Sequence, residues 1–316
     1  MTEMLFSMTA KLRVVFAGTP QNAAETLDRL VSEGVQIVGV LTRTDARVGR
    51  SGELTPSAVA HKAHELGLET FKTNKIDDKA LEWLKSLKSD IGAVVAYGSI
   101  FKQPVLEIPR LGWLNLHYSL LPELPGPAPV QHAILQGKKV TGVTVFRLDS
   151  GIDSGPIISS TEQVIDDADT TGSLLSKLTG IGSKLLLDVL QQDEAKLSFA
   201  KPQEISGIHA SATKPTRELA RLEFTGDALT QLNKIRAMNP EPMAWFEING
   251  TVTRVIRARF QDSTSEASTL RIVEKDLVVH CKVGSLVLDI VQPAGKQQMS
   301  GADWFRGLRV EKLKLS

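Results

Sequence analysis

The sequence predicts an α/β protein with two domains: an open, doubly wound, mostly parallel Rossmann-like sheet, followed by a smaller OB-like β-barrel. Three observations lead to this prediction. Apolar strands alternate with amphipathic helices in the first half, an aperiodic stretch follows a long helix, and short strands separated by turn residues fill the last third. The 316 residues, of which 42% are hydrophobic, are enough to bury two cores.

The first domain is predicted from repeated βαβ units. Its strands and helices alternate, in chain order, at residues 12–16, 21–33, 35–41, 57–66, 93–97 and 173–191. The first and third strands are continuously apolar, as expected for parallel strands that helices cover on both faces. Ligands of such sheets bind beyond the carboxyl ends of the strands, so the segments after each strand are the first candidates for a site.

The second domain begins after an aperiodic stretch that mixes Pro, Gly, Ser, His and Thr. The predicted limits are a disordered extension at 1–10, the first domain at 11–198, a linker at 199–213 and the second domain at 214–316. A helix at 225–238 precedes the strands, which are predicted at 244–248, 252–259, 277–283 and 286–291. Basic residues outnumber acidic ones only after about residue 209, which is compatible with a polyanionic partner for the second domain.

Several classes of protein are not predicted. The F-A-G-T-P run at 16–20 lacks G-x-G-x-x-G spacing, and no G-x-x-x-x-G-K-[ST] loop occurs, so neither common nucleotide-binding loop is expected. No apolar run approaches the roughly 20 residues of a membrane helix, and no secretory signal is recognised. The single Cys281 allows no disulfide framework, which fits a reducing cytoplasm. His61 and His64 lie one helical turn apart without further ligands nearby, so no catalytic metal is expected.

The strand-like run 112–118 carries the candidate chemistry. Side chains alternate along a strand, so Asn115 and His117 point to one face near its carboxyl end, where both can donate hydrogen bonds to a developing negative charge. Asn115 as a backbone cap and His117 as a core histidine is the alternative interpretation. A Gly-flanked loop at 148–156 supplies Asp153, a carboxylate that can approach the imidazole.

These residues resemble those of the formyltransferases that use 10-formyltetrahydrofolate. The motif of that family is Asn-x-His, then Ser-Leu-Leu-Pro, then an Asp in a Gly-x-Asp-x-Gly loop. In this chain the same order is given by Asn115, His117, residues 119–122, and Asp153 within 151–155. Segments at 16–20, 42–56, 237–245 and 292–300 are similar to those members of the family that act on methionyl-tRNA.

The resemblance implies a reaction in which a substrate amine attacks the formyl carbon. Asn115 and His117 then stabilise the oxyanion, and Asp153 holds the His117 ring and assists proton transfer. The formyl donor is 10-formyltetrahydrofolate, and neither a metal nor a nucleotide cofactor takes part. The implied folate-binding residues are Ala96, Tyr97, Gly98, Ser99, Ile100, Ser119, Leu120, Leu121 and Pro122.

The resemblance also implies that the acceptor is initiator methionyl-tRNA, and that the protein is a monomer that serves translation initiation in the cytoplasm. The loop at 43–52 carries three arginines and two glycines, and Arg50 occupies the arginine position of the family loop that enters the acceptor arm. In the second domain, Arg257 and Arg259 are expected on one strand face and Arg254 on the other. The predicted tRNA-binding residues are Arg43, Arg47, Arg50, Arg254, Arg257 and Arg259.

Two departures from the family pattern bear on the substrate. Residues 51–53 are Ser-Gly-Glu where the family often has lysines, and residues 123–129 lack the basic and aromatic residues that commonly follow Ser-Leu-Leu-Pro. Three other functions remain open: formylation of an amino sugar nucleotide, a non-catalytic RNA-binding protein, and hydrolysis of the formyl donor. The arginine-rich loop argues against the first, and the intact Asn115, His117 and Asp153 argue against the second.

Overall fold

A computed structural model describes residues 11–48, 52–197, 199–204, 211–263 and 265–315. The extension predicted at 1–10 lies outside the described residues. The chain divides into two compact units. Unit 1 takes Met1–Pro127, Gly142–Gln163 and Ser176–Ser211, and unit 2 takes Ala128–Thr141, Val164–Leu175 and Ala212–Ser316. The two units interleave along the chain, whereas the predicted domains are each continuous in sequence.

The secondary structure begins with a mixed run of strands and helices. The first nine strands are β1 (Arg13–Gly18), β2 (Gln36–Thr42), β3 (Ala46–Val48), β4 (Glu53–Thr55), β5 (Thr70–Lys72), β6 (Ile91–Val95), β7 (Trp113–His117), β8 (Val140–Arg147) and β9 (Ile157–Val164). The helices are α1 (Gln21–Ser32), α2 (Ala58–Glu65), α3 (Asp78–Ser86), α4 (Pro129–Leu135), α5 (Thr171–Leu190), α6 (Glu194–Leu197), α7 (Ala228–Ala237) and α8 (Gly301–Gly307).

Seven strands form one sheet in the order β5-β2-β1-β6-β7-β8-β9. The pairs β5–β2, β2–β1, β1–β6 and β6–β7 are parallel, and β8 is antiparallel to β7. The predicted doubly wound, mostly parallel sheet is therefore confirmed. Its parallel strands end at one edge, and the antiparallel β8 brings Thr144 opposite His117 at that edge.

The core of this sheet shows why its strands have their sequences. Every residue of β6 is buried, as the apolar pattern predicts for a central strand. The Trp113 ring packs directly against Gly92 of β6. A side chain at this position would clash, because a Cβ atom there would lie 2.0 Å from the ring. The side chain of Ser57 accepts a hydrogen bond from the amide of Ala60 and so caps α2, and Asp77 caps α3 in the same way.

Unit 2 contains an antiparallel sheet that curls into half a barrel, which confirms the predicted second fold class. Its strands are β10 (Trp245–Ile248), β11 (Thr251–Gln261), β12 (Thr269–Val273), β13 (Asp276–His280), β14 (Ser285–Pro293), β15 (Met299–Ser300) and β16 (Lys312–Lys314). The order is β10-β11-β14-β13-β12-β16, and β15 also pairs with β14. Phe246, Trp304 and Phe224 stack edge to face inside the curl. Among the described residues, no helix is long and apolar enough to cross a membrane.

Candidate active site

The last residues of β7 place Asn115 and His117 at the carboxyl edge of the sheet in unit 1. Leu116, between them, points to the opposite face, where its methyl groups contact Gly182 of α5. Asn115 is half-buried, and its amide takes part in none of the side-chain hydrogen bonds among the described residues. Asn115 therefore presents a donor that a ligand can use, which is the arrangement predicted from the alternation of the strand.

His117 is buried, with 5% of its surface exposed. Its Nε2 lies 3.0 Å from the carbonyl oxygen of Leu124, and because a carbonyl only accepts, Nε2 carries the proton. Its Nδ1 lies 3.7 Å from Oδ2 of Asp153. Burial lowers the pKa of His117, while the Asp153 carboxylate and the Leu124 carbonyl oppose that shift. With Nε2 donating to Leu124, the other ring nitrogen, Nδ1, faces the carboxylate of Asp153.

Asp153 is held in a tight loop after β8. Its backbone is left-handed, with φ at +51°, and its Oδ2 accepts a hydrogen bond of 2.7 Å from the amide of Gly126. Gly155 is required because a Cβ atom there would lie 1.8 Å from the carbonyl oxygen of Arg147. The predicted meeting of Asp153 with the imidazole is therefore observed, although 3.7 Å makes the contact electrostatic rather than a direct hydrogen bond.

The segment after β7 is fixed by a neighbouring strand. The hydroxyl of Thr144 in β8 donates to the carbonyl of Ser119 at 2.7 Å and accepts from the amide of Leu121 at 3.2 Å. The hydroxyl of Ser119 donates to the carbonyl of Glu123 at 2.6 Å. These bonds shape the turn that delivers the Leu124 carbonyl to His117. Sequence reasoning did not identify Thr144, because only the antiparallel pairing of β8 with β7 reveals its position.

The residues predicted to bind folate lie at the same edge. Ala96 and Gly98 have left-handed backbones and are exposed, and Ile100 is 63% exposed. Tyr97 differs, because its ring is buried against Phe101 and its hydroxyl donates to the carbonyl of Thr73 at 3.0 Å. Burial raises the pKa of Tyr97 to about 12. The backbone of Tyr97, rather than its side chain, therefore lies at the edge. The half-buried side chains of Leu120 and Pro122 lie there as well.

Comparison with known proteins identifies the family. The family model described as "Formyl transferase" matches residues 10–190, and the model "Formyl transferase, C-terminal domain" matches residues 214–309. The chain is 40% identical over 299 residues to a protein named methionyl-tRNA formyltransferase from Renibacterium salmoninarum, which covers 94% of this chain and 97% of that protein. A protein of the same name from Thermobifida fusca is 39% identical over 302 residues, covering 95% and 97% of the two chains.

The chain belongs to the methionyl-tRNA formyltransferase family. A solved structure with a similar fold is the N-formyltransferase of Helicobacter canadensis in complex with folinic acid and dTDP-3-aminofucose. Its TM-score is 0.64 with 19% identity, and the match covers 91% of this chain and 100% of that chain. At that identity the match supports the fold alone. The relatives at about 40% identity confirm the resemblance to the methionyl-tRNA formyltransferase family that the sequence motifs indicated.

The arginines predicted to bind tRNA from unit 1 differ in their surroundings. The guanidinium of Arg43 donates to the carbonyl of Gly98 at 2.8 Å and to Oδ1 of Asn74 at 3.1 Å, so Arg43 already ties two loops of the sheet edge together. Arg47 is exposed in the β3–β4 hairpin and donates to the carbonyl of Gly52 at 2.7 Å. Arg50 lies outside the described residues.

The arginines of β11 are arranged differently from the prediction, which placed Arg254 opposite Arg257 and Arg259. The pairing of β11 with β14 is irregular between Val255 and Ala258, and both of these residues pack on the core. The irregularity reverses the alternation, so all three arginines are exposed. The guanidinium groups of Arg257 and Arg259 approach Asp289 at 3.7 and 3.2 Å, and Arg259 also pairs with Asp276.

Arg254 has different neighbours, which sequence reasoning missed. In the register of β10 with β11, Arg254 lies directly opposite Trp245. The guanidinium groups of Arg217 and Arg221 lie 5.2 and 5.8 Å from the centre of the same indole ring. Arg217 and Arg221 are four residues apart and exposed, but no local signal in the sequence connects them to Trp245. Within the described residues, none of these three arginines forms an ion pair with a carboxylate.

The histidines of α2 do not form a metal site. His61 lies 3.3 Å from Glu65 of the same helix, and both side chains are exposed. No group of three or more His, Cys, Asp or Glu side chains that could hold a metal occurs in the part of the chain that the structure describes.

Proposed function

We propose that the protein transfers the formyl group of 10-formyltetrahydrofolate to the α-amino group of methionyl initiator tRNA. The observation that carries this proposal is the buried His117 beside Asp153, next to an Asn115 whose side chain has no hydrogen bond among the described residues, in a chain about 40% identical to proteins of that name. Formylation of this tRNA belongs to translation initiation in the cytoplasm. Asn115, His117 and Asp153 are the proposed catalytic group.

Asn115 acts on the formyl oxygen. As the amine attacks the formyl carbon, negative charge develops on that oxygen, and an amide N–H donor aimed there stabilises the transition state more than the ground state. Asn115 suits this role because its amide is not consumed by protein contacts and its strand fixes its direction. A rigid donor costs no reorganisation at the moment of reaction.

His117 receives the proton that the amine releases. Nε2 is occupied by the Leu124 carbonyl, so Nδ1 is the nitrogen available as a base. Protonation gives a buried imidazolium, which would be costly without a counter-charge. Asp153 supplies that counter-charge at 3.7 Å, and its own position is fixed by the Gly126 amide. The bond between the formyl carbon and N10 of the folate then breaks, and N10 takes up the proton held by His117 as tetrahydrofolate leaves, so no covalent intermediate with the protein is needed.

The edge of the sheet suits a folate donor. The exposed Ile100 and the half-buried Leu120 and Pro122 provide apolar surface for a flat heteroaromatic ring. The exposed backbone at Ala96 and Gly98 brings main-chain polar groups to the same place. When bound there, 10-formyltetrahydrofolate supplies an activated formyl group, and the protein supplies orientation and charge stabilisation.

The tRNA is proposed to bind to exposed arginines. In unit 1 the exposed arginine is Arg47 in the hairpin of β3 and β4, and the resemblance in sequence adds Arg50 to it. In unit 2 the best candidate is the arginine–tryptophan patch, which we define as Arg217, Arg221, Trp245 and Arg254. Among the described residues its arginines form no ion pair within 4 Å of a carboxylate, whereas Arg257 and Arg259 share Asp289 within a groove of about 740 Å³.

The decisive experiment measures formyl transfer from 10-formyltetrahydrofolate to initiator methionyl-tRNA. Free methionine, glycinamide ribonucleotide and an amino sugar nucleotide serve as competing acceptors, at low and moderate salt. We expect the charged tRNA alone to be formylated, with a rate that falls as salt screens phosphate contacts. Transfer to the amino sugar nucleotide but not to tRNA would leave the assignment of the catalytic residues intact and would contradict the proposed acceptor. Formate release without any amine would indicate hydrolysis instead.

A further inference from the structure

A short segment of unit 1 runs alongside the loop that carries Asp153. Residues 199–204 include the start of the predicted linker, and Lys201 within them pairs with Ile157, the first residue of β9. The amide of Ile157 donates to the carbonyl of Lys201 at 2.7 Å, and the amide of Lys201 donates to the carbonyl of Ile157 at 2.8 Å. This two-bond bridge fixes the next residues of the segment beside the 151–155 loop.

Gln203 uses that placement to bind the loop. Its Nε2 donates to the carbonyl of Asp153 at 2.8 Å and to the carbonyl of Gly155 at 2.7 Å, so both amide hydrogens have acceptors. The side chain is half-buried and bridges the residue before and the residue after Ser154. A single side chain thus holds the main chain on both sides of the turn.

The backbone of Asp153 needs such support. A φ of +51° is unfavourable for a residue with a side chain, and it persists only where the surroundings fix it. The Gly126 amide fixes the carboxylate, and Gln203 fixes the carbonyl of the same residue. The two bonds come from different segments, and together they hold Oδ2 at 3.7 Å from Nδ1 of His117.

We propose that Gln203 is a positioning residue for the reaction: it holds the left-handed turn at Asp153 and thereby sets the charge that His117 feels. The proposal rests on the function proposed above. Among the described residues, the Gln203 side chain bonds only to main-chain carbonyls, so it touches no reacting atom and acts through Asp153.

The surroundings of His117 determine what loss of Gln203 does. The strand β8 presents the Phe146 ring, the loop after β7 presents the Leu124 carbonyl, and Asp153 is the charged side chain that lies within 4 Å of the ring among the described residues. Burial lowers the pKa of His117 and Asp153 opposes that effect. If the carboxylate moves away, burial remains and the opposition weakens, so the pKa of His117 falls further.

The first test compares Gln203→Ala and Gln203→Met with the wild-type protein. Gln203→Met keeps about the length of the side chain and removes both donors without adding a charge. We expect kcat to fall between about tenfold and a hundredfold in either variant, as for a misplaced catalytic group, with the KM of both substrates changed less than about twofold. The acidic limb of the pH profile of kcat should move to lower pH. Gln191→Ala, an exposed glutamine in the same unit, is the control and should match wild type.

The second test is a double-mutant cycle. If Gln203 acts through the Asp153 carboxylate, Gln203→Ala should have almost no further effect on kcat in an Asp153→Asn background. Additive losses in the double variant, or an unmoved acidic limb in the single variants, would show that Gln203 is only a structural residue. Thermal unfolding of each variant shows whether the fold is kept.

A third measurement separates this proposal from the proposed function. NMR titration of labelled histidine rings reports the pKa of His117 without any substrate. A lower pKa of His117 in Gln203→Met than in wild type supports the positioning role even if the wild-type protein formylates no tRNA, and an equal pKa overturns it. Absence of activity in the wild type would contradict only the proposed function.

Discussion

The edge of the sheet in unit 1 and the outer face of the half-barrel in unit 2 handle charge in opposite ways. At the sheet edge, the titratable His117 and Asp153 are mostly buried, and main-chain groups of Leu124 and Gly126 fix both of them. These contacts hold each of the two side chains in a single orientation. Such a site suits chemistry in which a small displacement is costly.

On the half-barrel the charged groups are exposed and arranged in two sets. Arg257 and Arg259 are paired with aspartates, while Arg217 and Arg221 lie over the Trp245 ring and Arg254 lies opposite Trp245 in the strand pairing. Exposed groups of this kind contribute little individually, and their effect is summed over many contacts. The comparison teaches that single substitutions should be severe at the sheet edge and mild, but dependent on salt, on the half-barrel.

The largest effect is expected from Asn115→Ala. Removal of one donor to a developing oxyanion lowers kcat by about 100- to 1,000-fold. Because Asn115 makes no side-chain hydrogen bond in the described structure, the fold and folate binding should be unchanged. Steady-state formylation and calorimetric binding of folinic acid measure the two quantities. Full activity in this variant would remove Asn115 from the catalytic group.

How far the sequence predicts this site can be judged residue by residue. The alternation of β7 places Asn115 and His117 on one face, and motif spacing brings Asp153 to His117, because these relations are local or carried by the family pattern. The roles of Thr144 and Gln203 could not be predicted. They depend on which strand lies beside β7 and on a bridge between residues distant in sequence, and neither leaves a periodic signal.

Asp153→Asn should have the next largest effect, and its pH dependence is the more informative part. The substitution removes the charge that opposes the lowered pKa of His117, so that pKa falls further. Neutral His117 is the active form, and activity is lost as pH falls through its pKa. The acidic limb of kcat should therefore shift to lower pH, while the plateau drops by at least about tenfold because the base is weaker.

The pH profile of kcat checks this expectation against that of the wild type. His132→Ala provides a control for histidine titration, because His132 lies in unit 2 and binds the carbonyl of Thr213 at 2.9 Å. A limb that moved to higher pH in Asp153→Asn would mean that the carboxylate does not act on His117 through its charge.

The fold itself was predictable to the extent that periodicity is local. Strands β1, β2 and β6 were predicted from apolar runs and β7 from the alternation within residues 112–118, whereas the hairpin of β3 and β4 has only three residues per strand and no apolar pattern. The irregularity in β11 was not predictable, since it depends on pairing with β14. The prediction that Arg254 lies on the opposite strand face from Arg257 and Arg259 was therefore wrong. The prediction that Arg257 and Arg259 share a face was correct.

The smallest effect is expected on the half-barrel, where Arg254→Ala and Arg257→Ala form a matched pair from one strand. Arg254 belongs to the arginine–tryptophan patch and Arg257 shares Asp289 with Arg259, so the tRNA should depend on the first more than on the second. For Arg254→Ala we expect the KM for tRNA to rise a few-fold, and the slope of log affinity against log salt to decrease by roughly one phosphate contact, with kcat and the KM for folate unchanged. Arg257→Ala should change the slope less, because Arg257 lies beside Asp289 and is less available to a phosphate. Equal slopes in the two variants would show that pairing with carboxylates does not distinguish the arginines that bind tRNA, and that the difference between the two sets on the half-barrel concerns stability instead.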